Sequence, residues 1–334
     1  MKNTMRTISS TTHERFKFRA LELSFNRFQI LLMLAVLSFA TSVQAQEKAT
    51  LAWKFSTGDS FTVQFEQSQK VQTRIDARDR TLESELILGV GWNVTKVADD
   101  GTATIEQTID RIRIKTGTPG AGIKKLVDVD TASEERLRGF SRDAIKELET
   151  LVGLKFVVVM TSAGEIVSVT PGPDVATVVG QLPETSALRR VFSGAAMGKL
   201  VSDSAFTLPG ESVEQGESWS DETAIKMTAN DRRTFTFDRT IKSTLKSMTD
   251  TEATIEVAVS LTQAPFTDTP AGSELTSPLE LTGFTGGGQI KFDRETGTLT
   301  SSSIASEIKT LVAYREDKVK TTTNVTNRMT VTRK

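Results

Sequence analysis

The chain has 334 residues, with 41 Lys and Arg set against 42 Asp and Glu, a single His and no Cys. Without Cys there are no disulfides and no thiolate chemistry, so stability has to come from packing and strand pairing. The near-neutral charge offers no basic surplus of the kind that grips nucleic acid or an anionic membrane surface.

Residues 1–45 read as a secretory signal peptide. Lys2, Arg6, Arg15, Lys17, Arg19 and Arg27 form a basic segment opposed only by Glu14 and Glu22. An apolar run from Ile30 to Leu37 follows, and Val43-Gln44-Ala45 places small or β-branched side chains where a signal peptidase reads them. The run is about half of the roughly 20 apolar residues that a membrane span requires, so no span is expected after cleavage. The basic segment is long, and translation is expected to start downstream of Met1. With no Cys there is no lipid anchor of the lipobox type. Cleavage leaves 35 basic and 40 acidic residues in Gln46–Lys334, and it removes His13, the sole His. That excludes Ser-His-Asp and Cys-His nucleophiles, zinc held by nitrogen or sulfur, and haem held by His. No cofactor and no metal is expected, and the chain reads as a non-enzymatic periplasmic or secreted protein.

From Leu51 the hydrophobic period is two. Phe61, Val63 and Phe65 share one face, as do Leu86, Leu88, Val90, Trp92 and Val94. Ala103, Ile105 and Ile109 continue the pattern, and Ile112 and Ile114 are shifted by one, which predicts a bulge. Asp99-Asp100-Gly101 predicts the hairpin turn between the last two strands. The period then becomes helical: Leu137, Phe140, Ala144, Ile145, Leu148, Leu151 and Val152 form one stripe over Ala132–Val152, with Thr131 and Glu134 as a capping box and Gly153 as the stop. Strands are expected at Leu154–Met160 and Ile166–Val169, then two short helices at Val175–Leu182 and Thr185–Leu200 split by Pro183. Thr234–Ile241, Ala253–Leu261, Leu279–Phe292, Thr298–Leu311 and Val319–Val331 read as further strands.

A weak repeat runs through this. Gly58-Asp59-Ser60-Phe61 resembles Gly216-Glu217-Ser218-Trp219, Ala103-Thr104-Ile105-Glu106 recurs as Ala253-Thr254-Ile255-Glu256, and Ala163-Gly164-Glu165-Ile166 resembles Thr296-Gly297-Thr298-Leu299. The expectation is an α+β fold: a large, curved, half-barrel-like antiparallel sheet with about three helices on one face. A first β unit with helical insertions would span 46–204 and a second 205–334, sharing one sheet or core.

Leu51-Ala52-Trp53-Lys54-Phe55, then Gly58-Asp59 and a strand carrying Gln64, Gln67 and Gln69, resembles an uncharacterised family of secreted bacterial proteins of planctomycete type. That resemblance implies no functional residue. The architecture is more distantly similar to the lipoprotein-carrier half-barrels of the bacterial envelope, in which helices cover a concave apolar surface that holds acyl chains.

The motifs that carry chemistry elsewhere are poorly placed here. Ser243-Thr244-Leu245-Lys246 and Ser306-Glu307-Ile308-Lys309 match S-x-x-K, and Lys115-Thr116-Gly117 matches K-T-G, but all fall on expected strands rather than at a helix start. Asp128 and Asp130 with Glu134 and Glu135 lack the ligand count and central Gly of a calcium loop, and read instead as the acidic start of a helix. Gly286-Gly287-Gly288 lies between strands and reads as a bulge or sharp bend rather than a phosphate cradle. Gly194-Ala195-Ala196-Met197-Gly198 reads as close helix packing. Trp53, Trp92, Leu137, Phe140, Ile145, Leu148 and Trp219 are the candidates for lining a ligand cavity. The function that follows is binding of an apolar or amphiphilic molecule such as a lipid. The alternatives are a structural component of the envelope that binds another protein, and a hydrolase built on two carboxylates. Edman degradation of the protein isolated from its native host should begin at or within a residue or two of Gln46, and an intact leader on the exported protein would contradict the assignment.

Overall fold

The computed structural model describes residues 48–75, 78–118, 127–133, 142–182, 206–228, 234–264, 279–314 and 317–334. The leader, Leu137, Phe140, Glu134, Glu135, the expected helix Thr185–Leu200 and the Gly194–Gly198 motif lie outside them. In chain order the elements are β1 (Ala49–Thr50), β2 (Ser60–Ile75), β3 (Arg78–Val97), β4 (Ala103–Gly117), β5 (Val127–Asp130), α1 (Arg142–Glu149), β6 (Lys155–Met160) and β7 (Ile166–Pro171). They continue with α2 (Pro173–Gln181), β8 (Ser212–Val213), β9 (Ser218–Thr228), β10 (Thr234–Met248), β11 (Glu252–Gln263), β12 (Glu280–Asp293), β13 (Thr298–Tyr314) and β14 (Asp317–Arg333).

The period-two segments all become strands, and twelve of them join one antiparallel sheet that is not closed. Its order is β7-β6-β4-β3-β2-β14-β13-β12-β11-β10-β9, with β5 also on β4, while β1 and β8 form a separate two-stranded ribbon. The predicted shift between Ile109 and Ile112 is a bulge: Val90 faces Ile109 and Gly89 faces Arg111, which leaves Asp110 unpaired.

Two helices are found among the described residues, so the α+β expectation of about three gives way to a mostly β chain. The stripe that was to run from Ala132 to Val152 is helical only over Arg142–Glu149 among those residues. The sheet takes over its C-terminal end, because Gly153 N–H donates to the Ile109 carbonyl (2.8 Å) and Ile109 N–H to that of Leu154 (3.0 Å). The Thr131 hydroxyl accepts the N–H of Ile112 at 2.9 Å, and Glu134, its expected partner in a capping box, lies outside the described residues.

A flat sheet is ruled out by the segment before β2. Trp53 N–H donates to Ser162 O (2.7 Å) in the β6–β7 turn, and Lys54 N–H to Gly297 O (2.9 Å) in the β12–β13 turn. From β6 to β12 is six steps along the strand order, or roughly 29 Å in a flat sheet. Two consecutive residues lie about 3.8 Å apart, so the sheet must be rolled for them to reach both turns.

Inside this roll the rings of Trp53, Trp92 and Phe292 meet at 6.2 Å, and Phe55 stacks on Trp53 at 5.5 Å. Phe61, Ile105, Phe156, Leu245, Ile255 and Phe292 are fully buried around them.

The sheet repeats its own hydrogen bonding. Gly58 and Asp59 bracket Val94 as Gly216 and Glu217 bracket Leu245, each through a donated and an accepted backbone bond. Register breaks after Val94 and after Leu245, and again beside Met160 and beside Phe292. Ala103 faces Met160 as Ala253 faces Phe292. The strands β7-β6-β4-β3-β2 and β13-β12-β11-β10-β9 are thus two equivalent sets running in the same sense, with β14 between them.

On the outer face, two diagonal ion pairs fasten β5 to β4. Arg111 Nε and Nη2 donate to the two oxygens of Asp130 (3.0 and 2.6 Å), and Arg113 grips Asp128 likewise, at 3.1 Å for both bonds. The hydrogen bonds from Arg111 hold the Asp130 carboxyl below the usual carboxylate range. A carboxyl depressed in the folded state stabilises above its unfolded pKa and loses that contribution as pH falls. The melting-temperature gap between the wild type and Asp130→Asn should therefore be present at pH 7 and shrink below about pH 4. A gap that widened in acid would contradict the assignment.

Glycine tests the rolled end directly. Gly58 (φ 95°) and Gly164 (φ 88°) both need the left-handed region. A Cβ on Gly58 would meet nothing within 4 Å, whereas on Gly164 it would sit 2.5 Å from the carbonyl oxygen of Phe206. Gly58→Ala should cost about 1 kcal/mol. Gly164→Ala should cost at least about 2 kcal/mol by urea denaturation, since backbone must shift as well.

Candidate ligand-binding face

The residues that point into the roll can be followed strand by strand, because parity is unbroken along β2, β14 and most of β13. At the end closed by Trp53 they are sealed in the core. Further along the same rows they open to solvent: on β3, Val90 is buried, Leu86 is 37% exposed and Leu82 is 47% exposed. The middle of the face is polar there. Gln67 Nε2 donates to Asn327 Oδ1 at 3.0 Å, a contact between neighbouring inward rows.

The wing formed by β9–β12 is different. The inward row of β10 reads Phe235, Phe237, Arg239, Ile241, Ser243 and Leu245. Leu245 and Ser243 are in the sealed end, while Phe235 and Phe237 are buried apart from the main core cluster. Between these two apolar blocks stands the half-buried Arg239, directly opposite Leu261 of β11 and Thr223 of β9. Its Nε is buried without a hydrogen-bond partner. The inward carboxylate closest in register is the exposed Asp221, two residues along β9 from Thr223, and it forms no ion pair with Arg239 among the described residues.

Next to Arg239 the sheet splits. β11 and β12 pair only as far as Val259 with Gly286. Beyond that point the side chain of Gln263 spans the gap, donating to Leu279 O (2.5 Å) and accepting from Leu281 N–H (2.7 Å). The opening is a hollow of about 270 Å³ whose apolar wall is Val259, Leu261, Leu281 and Phe284. Gly286 makes room for it, since the Phe284 ring lies where a Cβ would be (2.9 Å).

The equivalent point in the first set of strands is Ile109 with Leu154. There the chain supplies β5 and α1, and Val129 and Leu148 enter the core. Among the described residues, nothing from the connection between β11 and β12 takes the corresponding place in the second copy.

The candidates read from the sequence fall elsewhere. Trp53 and Trp92 are 6% exposed and packed in the sealed end. Trp219 is half-buried and pins the segment before β8, its Nε1 donating to Thr207 O at 3.0 Å. Leu148 belongs to the core and Ile145 packs against it. These residues are not brought together around the hollow, and Leu137 and Phe140 lie outside the described residues. Sequence reasoning passed over Arg239, Leu261, Leu281 and Phe284. One signal was available: Arg239 has the parity of Phe235, Phe237 and Ile241, a charge on a face that is otherwise apolar.

The remaining motifs take structural roles. Ser243 and Lys246 sit on β10, with Ser243 buried and Lys246 exposed and paired to Glu256 (3.1 Å). Asp128 and Asp130 lie on β5 and are held by Arg113 and Arg111, while Glu134 and Glu135 lie outside the described residues. Gly286, Gly287 and Gly288 remain in register with Ser306, Ala305 and Ile304, so they form no bulge. They permit close approach instead, since a Cβ on Gly287 would lie 2.7 Å from Val257 O. Among the described residues no group of three or more His, Cys, Asp or Glu is gathered to hold a metal. No helix among them is long and apolar enough to cross a membrane.

No curated protein matches the sequence. Among solved structures, one of lipid–protein interactions in lipovitellin aligns at 9% identity with a TM-score of 0.38, covering 82% of this chain but only 25% of the lipovitellin chain. An outer-membrane channel from Pseudomonas putida F1 aligns at 9% identity with a TM-score of 0.22, covering 84% of this chain and 97% of its own. Likenesses this slight carry no argument about function. The planctomycete-type origin expected from the opening residues is not part of these findings, but a family without an assigned function is. Residues 100–299, from the turn before β4 into the start of β13, match the family of unknown function DUF6263, and the chain belongs to that family.

Proposed function

We propose that this is an exported, non-enzymatic protein that binds an apolar or amphiphilic small molecule, such as a lipid, on the inward face of its rolled sheet. One observation carries the reading: on the β9–β12 wing the inward rows keep apolar side chains after the core has stopped filling them, above all where β11 and β12 part around Leu261, Leu281 and Phe284. Half-buried apolar walls beside a few polar groups are the usual make-up of a small-molecule site. A soluble chain gains nothing from leaving such side chains unpacked, because each buried CH₂ contributes about 0.8 kcal/mol. Export rests on residues 1–45, and the non-enzymatic assignment on the lack of His and Cys beyond them.

Native mass spectrometry of the protein purified from its own host should show a retained small-molecule mass that organic extraction removes. A co-purifying polypeptide in its place would favour the structural or interaction reading. With a fluorescent fatty acid as probe, the double substitution Leu281→Asn and Phe284→Asn should weaken binding at least about a hundredfold, since burying each side chain stabilises by about 1.5–3 kcal/mol. Neither residue belongs to the main core, so the melting temperature should move little. Wild-type protein that neither retains a lipid nor binds the probe would overturn the proposal.

A further inference from the structure

Three inward or cross-strand arginines can be compared within this one chain. Arg111 and Arg113 each present Nε and one Nη side-on to a carboxylate, Asp130 and Asp128 respectively. Arg239 has the same half-buried setting on a strand, but its Nε meets no acceptor. A buried donor without a partner costs roughly 1–3 kcal/mol, and more when charged. Here it lies opposite Leu261, which lines the hollow between β11 and β12 together with Val259, Leu281 and Phe284 and the polar Ser260 and Thr282.

We propose that Arg239 receives the carboxylate of a single-chain fatty acid whose acyl chain enters the hollow lined by Val259, Leu261, Leu281 and Phe284. This inference rests on the small-molecule reading above and specifies the ligand. The charge is complementary: a planar guanidinium can donate two parallel bonds to a carboxylate, which a point charge does not offer. The size is restrictive. A hollow of about 270 Å³ lies at the lower limit of ligand sites, ~300–1,000 Å³, and suits one chain rather than two. Among the described residues, Val129 and Leu148 occupy the corresponding region of the first set of strands and none does so in the second.

The test uses the purified, delipidated protein at pH 8, with radiolabelled palmitate, methyl palmitate and monohexadecyl phosphate as probes in equilibrium binding. Palmitate should bind about tenfold more tightly than its methyl ester, the size expected of one charge-assisted bidentate contact. In Arg239→Gln the acid-to-ester ratio should fall to about one. Arg239→Lys, which keeps the charge without the fork, should retain a smaller preference. If the Gln variant does not fold, the Lys variant and the acid-to-ester ratio of the wild type decide. Equal binding of acid and ester by the wild type overturns this inference and leaves the small-molecule reading standing. An undiminished preference in Arg239→Gln does the same. Tighter binding of the phosphate than of palmitate overturns the carboxylate assignment. Binding of none of the three overturns both readings together.

Discussion

Two consecutive backbone N–H groups, those of Trp53 and Lys54, are satisfied by carbonyls from turns that a flat sheet would hold far apart. Buried peptide donors have to be paired somewhere, and here the pairing joins the two equivalent halves of the sheet at one end. The rolled shape follows from that clamp. So does the packing of Trp53 between Trp92 of β3 and Phe292 of β12, aromatic contacts that bring together strands four steps apart. The turns themselves have to be slim to admit the clamping segment, and both carry a glycine with positive φ, Gly164 and Gly297.

A roll clamped at one end and open along its edges cannot be filled evenly. Side chains close to the clamp reach one another across the interior and exclude water. Farther along, the same rows lose their opposite number, and parity alone continues to point aliphatic residues inward. In the middle the chain meets this with amides and hydroxyls that bond across strands, as Gln67 does with Asn327. On the β9–β12 wing it keeps Leu, Phe and Ile and sets one arginine among them. That contrast locates the candidate site in the wing rather than among the tryptophans, whose large surfaces are already spent on the core.

The duplicated hydrogen-bond pattern sharpens this. Both sets of strands stop pairing at corresponding places, Ile109 with Leu154 and Val259 with Gly286. In the first set the bulge at Asp110 and the connection through β5 and α1 cover the gap, and the Arg111–Asp130 and Arg113–Asp128 pairs hold the cover in place. In the second, β12 simply diverges and runs on to pair with β13.

Much of this was legible in the sequence by itself. Alternation named the strands and their buried faces, the shift at Ile112 announced the bulge, Asp99-Asp100-Gly101 marked a turn, and the absence of Cys and of any His after His13 removed whole classes of chemistry. These are local properties, set by side-chain parity, turn residues and the functional groups available. The helical stripe before Gly153 was local too, and Arg142–Glu149 is helical as it predicts; the helix stops short of Val152 because Ile109 of β4 pairs with the backbone of Gly153 and Leu154. How far the inward face is filled, whether an arginine finds a carboxylate, and where two strands part were decided only by tertiary structure. Trp53 meets Phe292 and Arg239 faces Leu261 through the rolling and registry of the whole sheet, and a period of two specifies which way a side chain points but not what stands opposite it.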